Sequence, residues 1–460
     1  MRAPLGGRDA LGILPTGGGK SVCYQVPALC LPGLTVVVTP LVSLMADQVD
    51  RCRDAHIPAE LLNGTQSPAD RHAAAARVRA GKARILFVAP ERLETPALRS
   101  LLADVRVSLL AVDEAHCISS WGHDFRPSYL KLGDVRAELG APVMALTATA
   151  TPRVRTEITR ILRLRDPVTV VRSFDRPNLG WAVASLTSPR QRVTALLRIV
   201  RWAEGPALIY GSSRKGVEGI RGRLAARGIP AEAYHAGLPG EERQRVQEVF
   251  MEAARPVVVA TNAFGMGIDR SDVRVVAHVE LPGSLEGYYQ EAGRAGRDGE
   301  RAHCVALHAP GDGAIQEGFV DRSYPRPRRV RKAERFLRSH VGPGHSGAIR
   351  LGDVGRALGG EAGGEDEARA VLKALRKVGG IRILTGDLEG NEDEPLLVAV
   401  ARRRSPLREL RLHRRRERGR LQAVQRYAGT RKCRRAFILE YFGETGPEGA
   451  CNGCDRCGFG

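Results

Sequence analysis

Short runs of apolar, mostly β-branched residues recur through about the first 320 residues, separated by longer stretches in which apolar positions follow helical spacing. The runs are continuously apolar, which is typical of strands in a sheet covered by helices on both faces. The predicted strands are 35–39, 85–89, 108–112, 143–146, 207–210, 257–260 and 275–278. Strands alternating with helices predict an α/β fold with parallel sheets. A turn-rich stretch at 174–178 divides the pattern into two tandem lobes.

The pattern changes after about residue 311. Residues 351–400 predict two helices and a β-hairpin, an order similar to a winged helix, and residues 402–420 are dense in arginine. The second of these helices carries basic side chains that either face a duplex or form an ordinary solvated surface: Arg369, Lys373, Arg376 and Lys377. We predict four domains, at 1–173, 174–320, 321–402 and 403–460.

The charge balance adds an expectation about partners. The 460 residues include 71 Lys and Arg against 51 Asp and Glu, so the net charge is +20. This excess favours a polyanionic partner, above all nucleic acid. An apolar content of 43% excludes global disorder. Neither a bilayer-spanning apolar run nor a secretory leader is visible, so we expect a cytoplasmic protein without membrane contact.

The sequence LPTGGGKS at 14–21 is a candidate phosphate loop. Three consecutive glycines allow backbone N–H groups to curl around a phosphate. Lys20 would reach the β- and γ-phosphates, and Ser21 would bind Mg²⁺. The remaining loop residues in this prediction are Thr16, Gly17, Gly18 and Gly19.

Two further motifs carry charge suited to phosphoryl transfer. Asp113 and Glu114 directly follow the predicted strand 108–112, where Asp113 would hold Mg²⁺ and Glu114 would orient and deprotonate the attacking water. Arg294 and Arg297 lie three residues apart in the second lobe and would neutralise charge developing at the γ-phosphate. Catalysis would then depend on the two lobes closing.

Four of the nine cysteines crowd the C-terminus with the spacing C-x17-C-x2-C-x2-C: Cys433, Cys451, Cys454 and Cys457. Thiolates in this pattern favour a structural zinc ion, with an iron–sulfur cluster as the alternative. The other five cysteines are scattered and are expected to be small buried hydrophobes.

An aromatic-rich segment follows Glu114 in a chain with only 5% aromatic residues. Aromatic faces stack on unpaired bases, and arginine adds backbone contacts. The predicted nucleic-acid residues are Trp121, His123, Phe125 and Arg126. The alternative is aromatic core packing, which the polar sequence WGHDF disfavours.

The motifs in their order resemble the RecQ family of superfamily 2 DNA helicases. The sequences that carry the resemblance include LPTGGGKSVCYQVPAL (14–29), DEAHCISSWGHDFRPSYL (113–130), LTATATP (146–152), ATNAFGMGID (260–269), YYQEAGRAGRDG (288–299), RKCRRAFILEYFGE (431–444) and CNGCDRC (451–457). The segment after DEAH and the cysteine-containing ending are much more specific to this family than the phosphate loop.

The resemblance implies two RecA-like lobes with ATP and Mg²⁺ between them, followed by a helical zinc-binding module. It implies that Gly267, Asp269 and Gln290 contact the nucleotide and that His116 couples DNA binding to hydrolysis. It further implies 3′→5′ translocation on single-stranded DNA, action on partly duplex DNA, and roles in DNA repair and recombination. A monomer associated with the nucleoid is expected, with single-strand-binding or repair proteins as possible partners.

The sequence departs from the family pattern in places. About a dozen residues precede the phosphate loop, where the family carries an adenine-reading segment, and the winged-helix-like stretch comes before the cysteines instead of after them. These departures leave two alternatives open. One is a DNA-binding protein with an impaired ATPase, and the other is a translocase that does not separate strands.

Overall fold

The computed structural model describes residues 1–15, 17–40, 42–64, 66–119, 124–265, 270–359, 364–388, 390 and 394–459. The chain forms two compact units. One comprises residues 1–281, 285–309 and 427–460, and the other comprises residues 282–284 and 310–426. The division of the chain at 173, 320 and 402 stays a prediction.

The first part of the larger unit, here called lobe 1, is built on a parallel sheet. Its strands are β1 (Ala10–Ile13), β2 (Leu34–Val38), β3 (Ala59–Leu62), β4 (Ile85–Val88), β5 (Val107–Val112), β6 (Val143–Thr147) and β7 (Val168–Val171), in the order β3-β4-β2-β5-β6-β1-β7. Its helices are α1 (Arg2–Leu5), α2 (Lys20–Cys30), α3 (Val42–Asp54), α4 (Pro68–Arg79), α5 (Pro96–Ala103), α6 (Leu132–Leu139) and α7 (Pro152–Ile161), with 3₁₀ turns at Pro90–Glu94, Ala115–Ile118 and Pro127–Lys131. The predicted parallel α/β fold is confirmed for this lobe.

Lobe 2 repeats this architecture. Its strands are β8 (Leu179–Ser185), β9 (Ala207–Tyr210), β10 (Glu232–Tyr234), β11 (Val257–Ala260), β12 (Val275–His278) and β13 (Ala302–His308), in the order β10-β11-β9-β12-β13-β8. Its helices are α8 (Gln191–Trp202), α9 (Arg214–Ala225), α10 (Gly240–Glu252) and α11 (Leu285–Ala292). All seven strands predicted in the two lobes are present within one residue of their expected bounds. The strands missed by the prediction include β8 and β13, where polar or glycine residues interrupt the apolar run.

The smaller unit, here called the winged unit, combines helices with a three-stranded antiparallel sheet. Its elements are α12 (Asp312–Ser323), α13 (Pro327–His340), β14 (Ser346–Ile349), α14 (Leu351–Leu358), α15 (Glu365–Lys377), β15 (Ile381–Thr385), β16 (Leu396–Val400) and most of α16 (Arg408–Gly429), with the strand order β14-β16-β15. The predicted order of two helices and a hairpin is confirmed. Strand β14 and helix α13 complete the winged-helix pattern, and apolar residues of α13, α14 and α15 share one core with the sheet.

The C-terminal segment 427–459, here called the cysteine module, belongs to the larger unit. It contains α17 (Arg434–Tyr441) and the two-residue strands β17 (Gly453–Cys454) and β18 (Gly458–Phe459). Strand β17 pairs with β8, so the module extends the sheet of lobe 2 at its edge. Among the described residues, no helix is both long and apolar enough to cross a membrane.

Candidate functional site

The phosphate loop connects strand β1 to helix α2. Gly17 and Gly19 have φ angles of 79° and 73°, a region that side chains with a Cβ rarely adopt. The N–H of Gly18 donates to the carbonyl of Pro15 at 2.9 Å, and a Cβ at Gly18 would lie 2.8 Å from that oxygen. The turn therefore requires glycine, and it places Lys20 at the first position of α2. Ser21 follows in the same turn and is exposed, whereas Thr16 lies outside the described residues.

The acidic pair lies at the end of β5, at the same sheet edge as the phosphate loop. The carboxyl ends of parallel strands share one edge, so the loop after β1 and the residues after β5 converge. The Lys20 Nζ lies 3.7 Å from Oε1 of Glu114, and both side chains are largely buried. The Glu114 N–H donates to Oδ1 of Asp113 at 2.9 Å. Lysine and both carboxylates therefore form one cluster, as the motif spacing predicted.

The environment of Asp113 suits a bound cation. Removal of water from around Asp113 raises the pKa of its carboxyl to about 6, and the adjacent Glu114 carboxylate adds to this shift while Lys20 opposes it. A divalent cation at this position would stabilise the ionised form, and carboxylate and hydroxyl oxygens are ligands that Mg²⁺ accepts. Asp113 and Ser21 thus fit the predicted magnesium site in donor chemistry.

His116 joins this cluster from the 3₁₀ turn after β5. Its Nδ1 lies 3.2 Å from Oε2 of Glu114 and 2.8 Å from Oγ1 of Thr147 at the end of β6. The Thr147 hydroxyl also accepts from the N–H of Thr149 at 3.2 Å. Thr147 was not among the predicted site residues, although it ends the buried strand β6 and begins the sequence TATAT. The contact links the acidic pair to a second loop of lobe 1.

Lobe 2 contributes Arg297 to the phosphate loop. A Cβ placed on Gly17 would lie 3.5 Å from Cδ of Arg297, so the arginine side chain passes directly over the loop. Arg294 is buried within lobe 2, where its guanidinium donates to the carbonyl of Gly265. The structure therefore separates the two arginines that the sequence treated together. Gln290 is half-buried on α11, and Gly267 and Asp269 lie outside the described residues.

The segment after DEAH is only partly described, because Trp121 and His123 lie outside the described residues. Ser119 Oγ donates to Oε2 of Glu157 at 2.6 Å, which fixes the start of the segment on α7. Arg126 Nη1 donates to the carbonyl of Pro40 at 2.8 Å, and the same guanidinium pairs with Asp124. In this structure Arg126 therefore joins its own segment to Pro40, in the loop after β2, and Phe125 is half-buried. Their contact with nucleic acid stays a prediction.

The four C-terminal cysteines converge on one point. Their Sγ atoms all lie within 4.8 Å of one another, and Cys454 is buried while the others are half-buried. A tetrahedron of thiolates around zinc, with Zn–S bonds of about 2.3 Å, requires sulfur–sulfur distances of about 3.8 Å. The N–H of Ala436 points to Sγ of Cys433 at 3.4 Å, because Cys433 caps the N-terminus of α17. This donor set and geometry fit one zinc ion.

The electrostatics of the module differ from one thiol to another, because burial raises the pKa of Cys433 and of Cys451 whereas the pKa of Cys454 is lowered. Burial alone would raise the pKa of Cys454, but main-chain N–H groups, including those of Arg434 and Cys457, outweigh this effect and lower it to about 7. The neighbouring arginines have other partners than sulfur. Arg434 is completely buried and pairs with Asp455, and Arg435 donates to the carbonyl of Pro177 at 3.0 Å. Arg434 holds the module together, and Arg435 attaches it to the segment 174–178 that precedes β8.

The cysteine module also packs against the connection between the lobes. The rings of Phe442 and Phe174 are stacked, with centroids 4.2 Å apart and planes within 4°. The N–H of Phe174 donates to Oε1 of Glu444 at 3.0 Å, and Arg155 of lobe 1 donates to the carbonyl of Phe442 at 2.8 Å. We call these contacts the hinge clamp. They join residues of the RecQ-like ending to the FDRPN connection at 174–178, a link that no sequence signal indicated.

Some of the basic side chains of helix α15 in the winged unit already have partners within that unit. Arg369 donates to the carbonyl of Leu388 at 2.6 Å and pairs with Asp366, so it holds the loop after β15. Lys377 lies over the ring of Tyr324 at 5.1 Å from its centroid. The helix therefore uses part of its positive charge inside the unit.

Two parallel-sheet lobes with a phosphate loop after β1 and an acidic pair after β5 define a two-lobe P-loop fold of the RecA-like type. Solved helicases share this fold. The DEAD-box helicase Mss116 matches with a TM-score of 0.55 at 15% identity, over 81% of this chain and 79% of that chain. Mycobacterium smegmatis helicase Lhr matches with a TM-score of 0.52 at 20% identity, over 93% of this chain and 58% of that chain.

Matches to models of protein families assign the chain more narrowly. The DEAD/DEAH box helicase model matches residues 1–158, the helicase conserved C-terminal domain matches residues 191–299, and the RecQ zinc-binding model matches residues 400–458. The chain is 46% identical over 312 residues to the ATP-dependent DNA helicase RecQ of Pasteurella multocida, covering 67% of this chain and 49% of that protein. It is 43% identical over 313 residues to RecQ of Bacillus subtilis, covering 68% of this chain and 53% of that protein.

The chain belongs to the RecQ family of superfamily 2 helicases, and its C-terminal segment is a RecQ-type zinc-binding module. The resemblance inferred from the motifs is confirmed. The chain spans about half the length of the RecQ relatives that it matches.

Proposed function

We propose that this chain is an ATP-dependent DNA helicase of RecQ type, which couples ATP hydrolysis to 3′→5′ movement along single-stranded DNA. The observation that carries the proposal is the position of Arg297 over the phosphate loop, opposite the cluster of Lys20, Asp113 and Glu114. Both halves of a phosphoryl-transfer site thus come from different lobes of one chain.

The site residues divide the chemistry between them. Backbone N–H groups of the glycine loop and Lys20 would bind the β- and γ-phosphates of ATP. Mg²⁺, held by Ser21 and Asp113, would neutralise charge on the phosphate oxygens. Glu114 would orient the attacking water and accept its proton. Arg297 would stabilise the negative charge that develops on the transferred phosphoryl group.

Coupling to DNA would follow the contacts at the edge of lobe 1. His116 touches both Glu114 and Thr147, so a shift of either loop changes the carboxylate that positions water. Arg294 and Gln290, together with Gly267 and Asp269, would transmit the nucleotide state through lobe 2. Single-stranded DNA would contact the segment that contains Trp121, His123, Phe125 and Arg126. Repair and recombination of chromosomal DNA, by a monomer in the cytoplasm, is the proposed setting.

The test combines ATP hydrolysis with strand displacement. We expect hydrolysis by the purified chain to rise strongly with single-stranded DNA, and a duplex with a 3′ single-stranded tail to be separated in preference to one with a 5′ tail. Lys20→Ala serves as the control, because loss of the lysine should lower kcat by at least about 100-fold while DNA binding remains.

Each negative outcome identifies an alternative. DNA binding without hydrolysis, in a folded wild-type chain, would indicate an impaired ATPase. DNA-stimulated hydrolysis without displacement would indicate a translocase. Wild-type turnover by the Lys20→Ala variant would remove the phosphate loop from the site.

A further inference from the structure

Helix α16 carries a row of exposed basic side chains outside the nucleotide site. The row consists of exposed residues spaced three or four apart, all of them arginine except Gln422, which we call the arginine stripe: Arg408, Arg411, Arg415, Arg418, Gln422 and Arg426. Because α-helical residues at these intervals lie above one another, the side chains share one face of the helix. With a rise of about 1.5 Å per residue, the stripe from Arg408 to Arg426 is about 27 Å long.

The stripe differs from the other arginines of α16 in its partners. Arg414 is buried, donates to the carbonyl of Tyr324 at 2.6 Å and pairs with Asp321. Arg420 is also buried and pairs with Glu417. By contrast, the side chains of Arg411, Arg415 and Arg418 make no hydrogen bond or ion pair within the described part of the chain. Their positive charges are therefore uncompensated, and neighbours three or four apart repel each other.

A groove of about 370 Å³ runs along the middle of the stripe. Its lining consists of Pro327, Arg411, Arg414, Arg415, Arg418, Gly419 and Gln422. Gly419 has no side chain to fill the space, and a Cβ there would meet nothing within 4 Å. Pro327 is the first residue of α13, so the positive end of that helix dipole also lies at the groove. The charged residues that line this groove are all arginines, of which Arg414 is paired with Asp321, so the remaining charge at the groove favours an anion.

We propose that the arginine stripe binds the phosphate backbone of DNA. A guanidinium group presents a planar fork of donors that matches phosphate oxygens, and several forks in a row suit a chain of regularly spaced phosphates better than one small anion. Among polyanions we choose DNA, because the proposed function of this chain is that of a DNA helicase; the inference rests on that proposal. Arginines directed at phosphates contribute affinity and carry little sequence information, so the stripe would bind DNA of any sequence.

The test measures DNA binding by fluorescence anisotropy at several salt concentrations, with single-stranded, duplex and tailed DNA as separate arms. The variant is the triple substitution Arg411→Ala, Arg415→Ala and Arg418→Ala. We expect at least tenfold weaker binding near physiological salt in at least one arm. The slope of log affinity against log salt should fall by about 0.7–0.9 for each phosphate that the variant no longer neutralises. The arm with the greatest loss of affinity identifies single-stranded or duplex DNA as the ligand.

Two matched variants distinguish a binding site at the stripe from an effect of the chain's overall positive charge. Arg221, Arg223 and Arg227 are exposed arginines in and after α9 of lobe 2, and their triple replacement by alanine removes the same charge. We expect that control to bind DNA within about twofold of the wild type, since long-range charge alone is screened beyond about 8–10 Å. Replacement of the three stripe arginines by lysine should retain most of the dependence of DNA affinity on salt. This variant also tests whether helix α16 tolerates substitution at these positions.

The outcomes distinguish the two proposals. Unchanged binding by the alanine variant, or equal weakening by the lobe 2 control, would overturn the arginine stripe. If the wild type binds DNA through the stripe but hydrolyses no ATP with or without DNA, the helicase proposal fails and the stripe stands. ATP hydrolysis measured without DNA should be unchanged in the stripe variant.

Discussion

The nucleotide site and the cysteine module achieve their geometry in opposite ways. The four cysteines lie within 25 residues of one another in the sequence, and helix α17 and strand β17 bring their sulfur atoms together. The nucleotide site gathers Lys20, Glu114 and Arg297 from positions nearly 280 residues apart. The cysteine module is therefore a local structure that metal binding can complete, whereas the nucleotide site exists only when two sheets are folded and their lobes meet.

The two regions also differ in how firmly they are attached. At the phosphate loop, the side chain of Arg297 from lobe 2 lies against Gly17 of lobe 1. The cysteine module is joined to lobe 2 by strand pairing and by the Asp455 carboxylate, which accepts from the N–H of Val183 at 3.1 Å, and Arg435 joins it to the connection at 174–178. An adjustable contact suits a site that must open and close during turnover, and a fixed contact suits a structural centre. The hinge clamp joins the cysteine module to the connection between the lobes at Phe174.

Replacement of one of the four zinc-binding cysteines should have the largest effect on the stability of the chain. We expect one zinc per wild-type chain by elemental analysis, and we expect Cys454→Ser to lose the zinc and to lower Tm by more than about 5 °C, because metal binding supplies folding free energy to the module. Cys30→Ser is the control, since Cys30 is exposed and lies far from the centre in sequence. Iron with visible absorbance, or a folded wild-type chain without metal, would contradict the zinc assignment.

Arg297→Ala tests whether the nucleotide site depends on lobe 2. We expect kcat for ATP to fall by about 1,000-fold with little change in Tm, because the side chain acts on the transition state and is not part of the core. Arg294→Ala is the informative comparison. The loss of its buried bond to Gly265 should lower Tm as well as kcat. Turnover at the wild-type rate in the Arg297→Ala variant would show that another residue supplies the positive charge.

Phe442→Ala tests the hinge clamp, and we expect the smallest effect here. Loss of the buried ring stacked on Phe174 should cost about 3 kcal/mol in denaturant unfolding, while zinc content stays at one per chain. Phe319→Ala, a substitution at an exposed ring, should cost less than about 0.5 kcal/mol. If both variants unfold alike, the stacked ring contributes no more than a surface side chain.

The sequence predicted the fold class and most of the site chemistry for physical reasons that are local. Continuous apolar runs such as 257–260 are strands because both faces of the sheet are covered, and their lengths and positions agree with the structure. The cysteine spacing predicted a metal centre because three thiols in seven residues already approach one ion. The missed features have no comparable signature. Thr147 and Glu444 lie within the RecQ-like sequences at 146–152 and 431–444, but only tertiary packing decides which residues they contact.

The sequence by itself determined which chemistry the chain carries: a glycine loop ending in lysine, an acidic pair after a buried strand, and four clustered thiols. Short-range patterns suffice for these because backbone conformation, strand burial and ligand spacing are set by neighbouring residues. Only the tertiary structure decided which of two similar arginines faces the phosphate loop, which arginines of α16 remain unpaired, and that the cysteine module holds the hinge. Those outcomes depend on contacts between residues up to about 290 positions apart, where the competition among many possible partners is resolved only by packing.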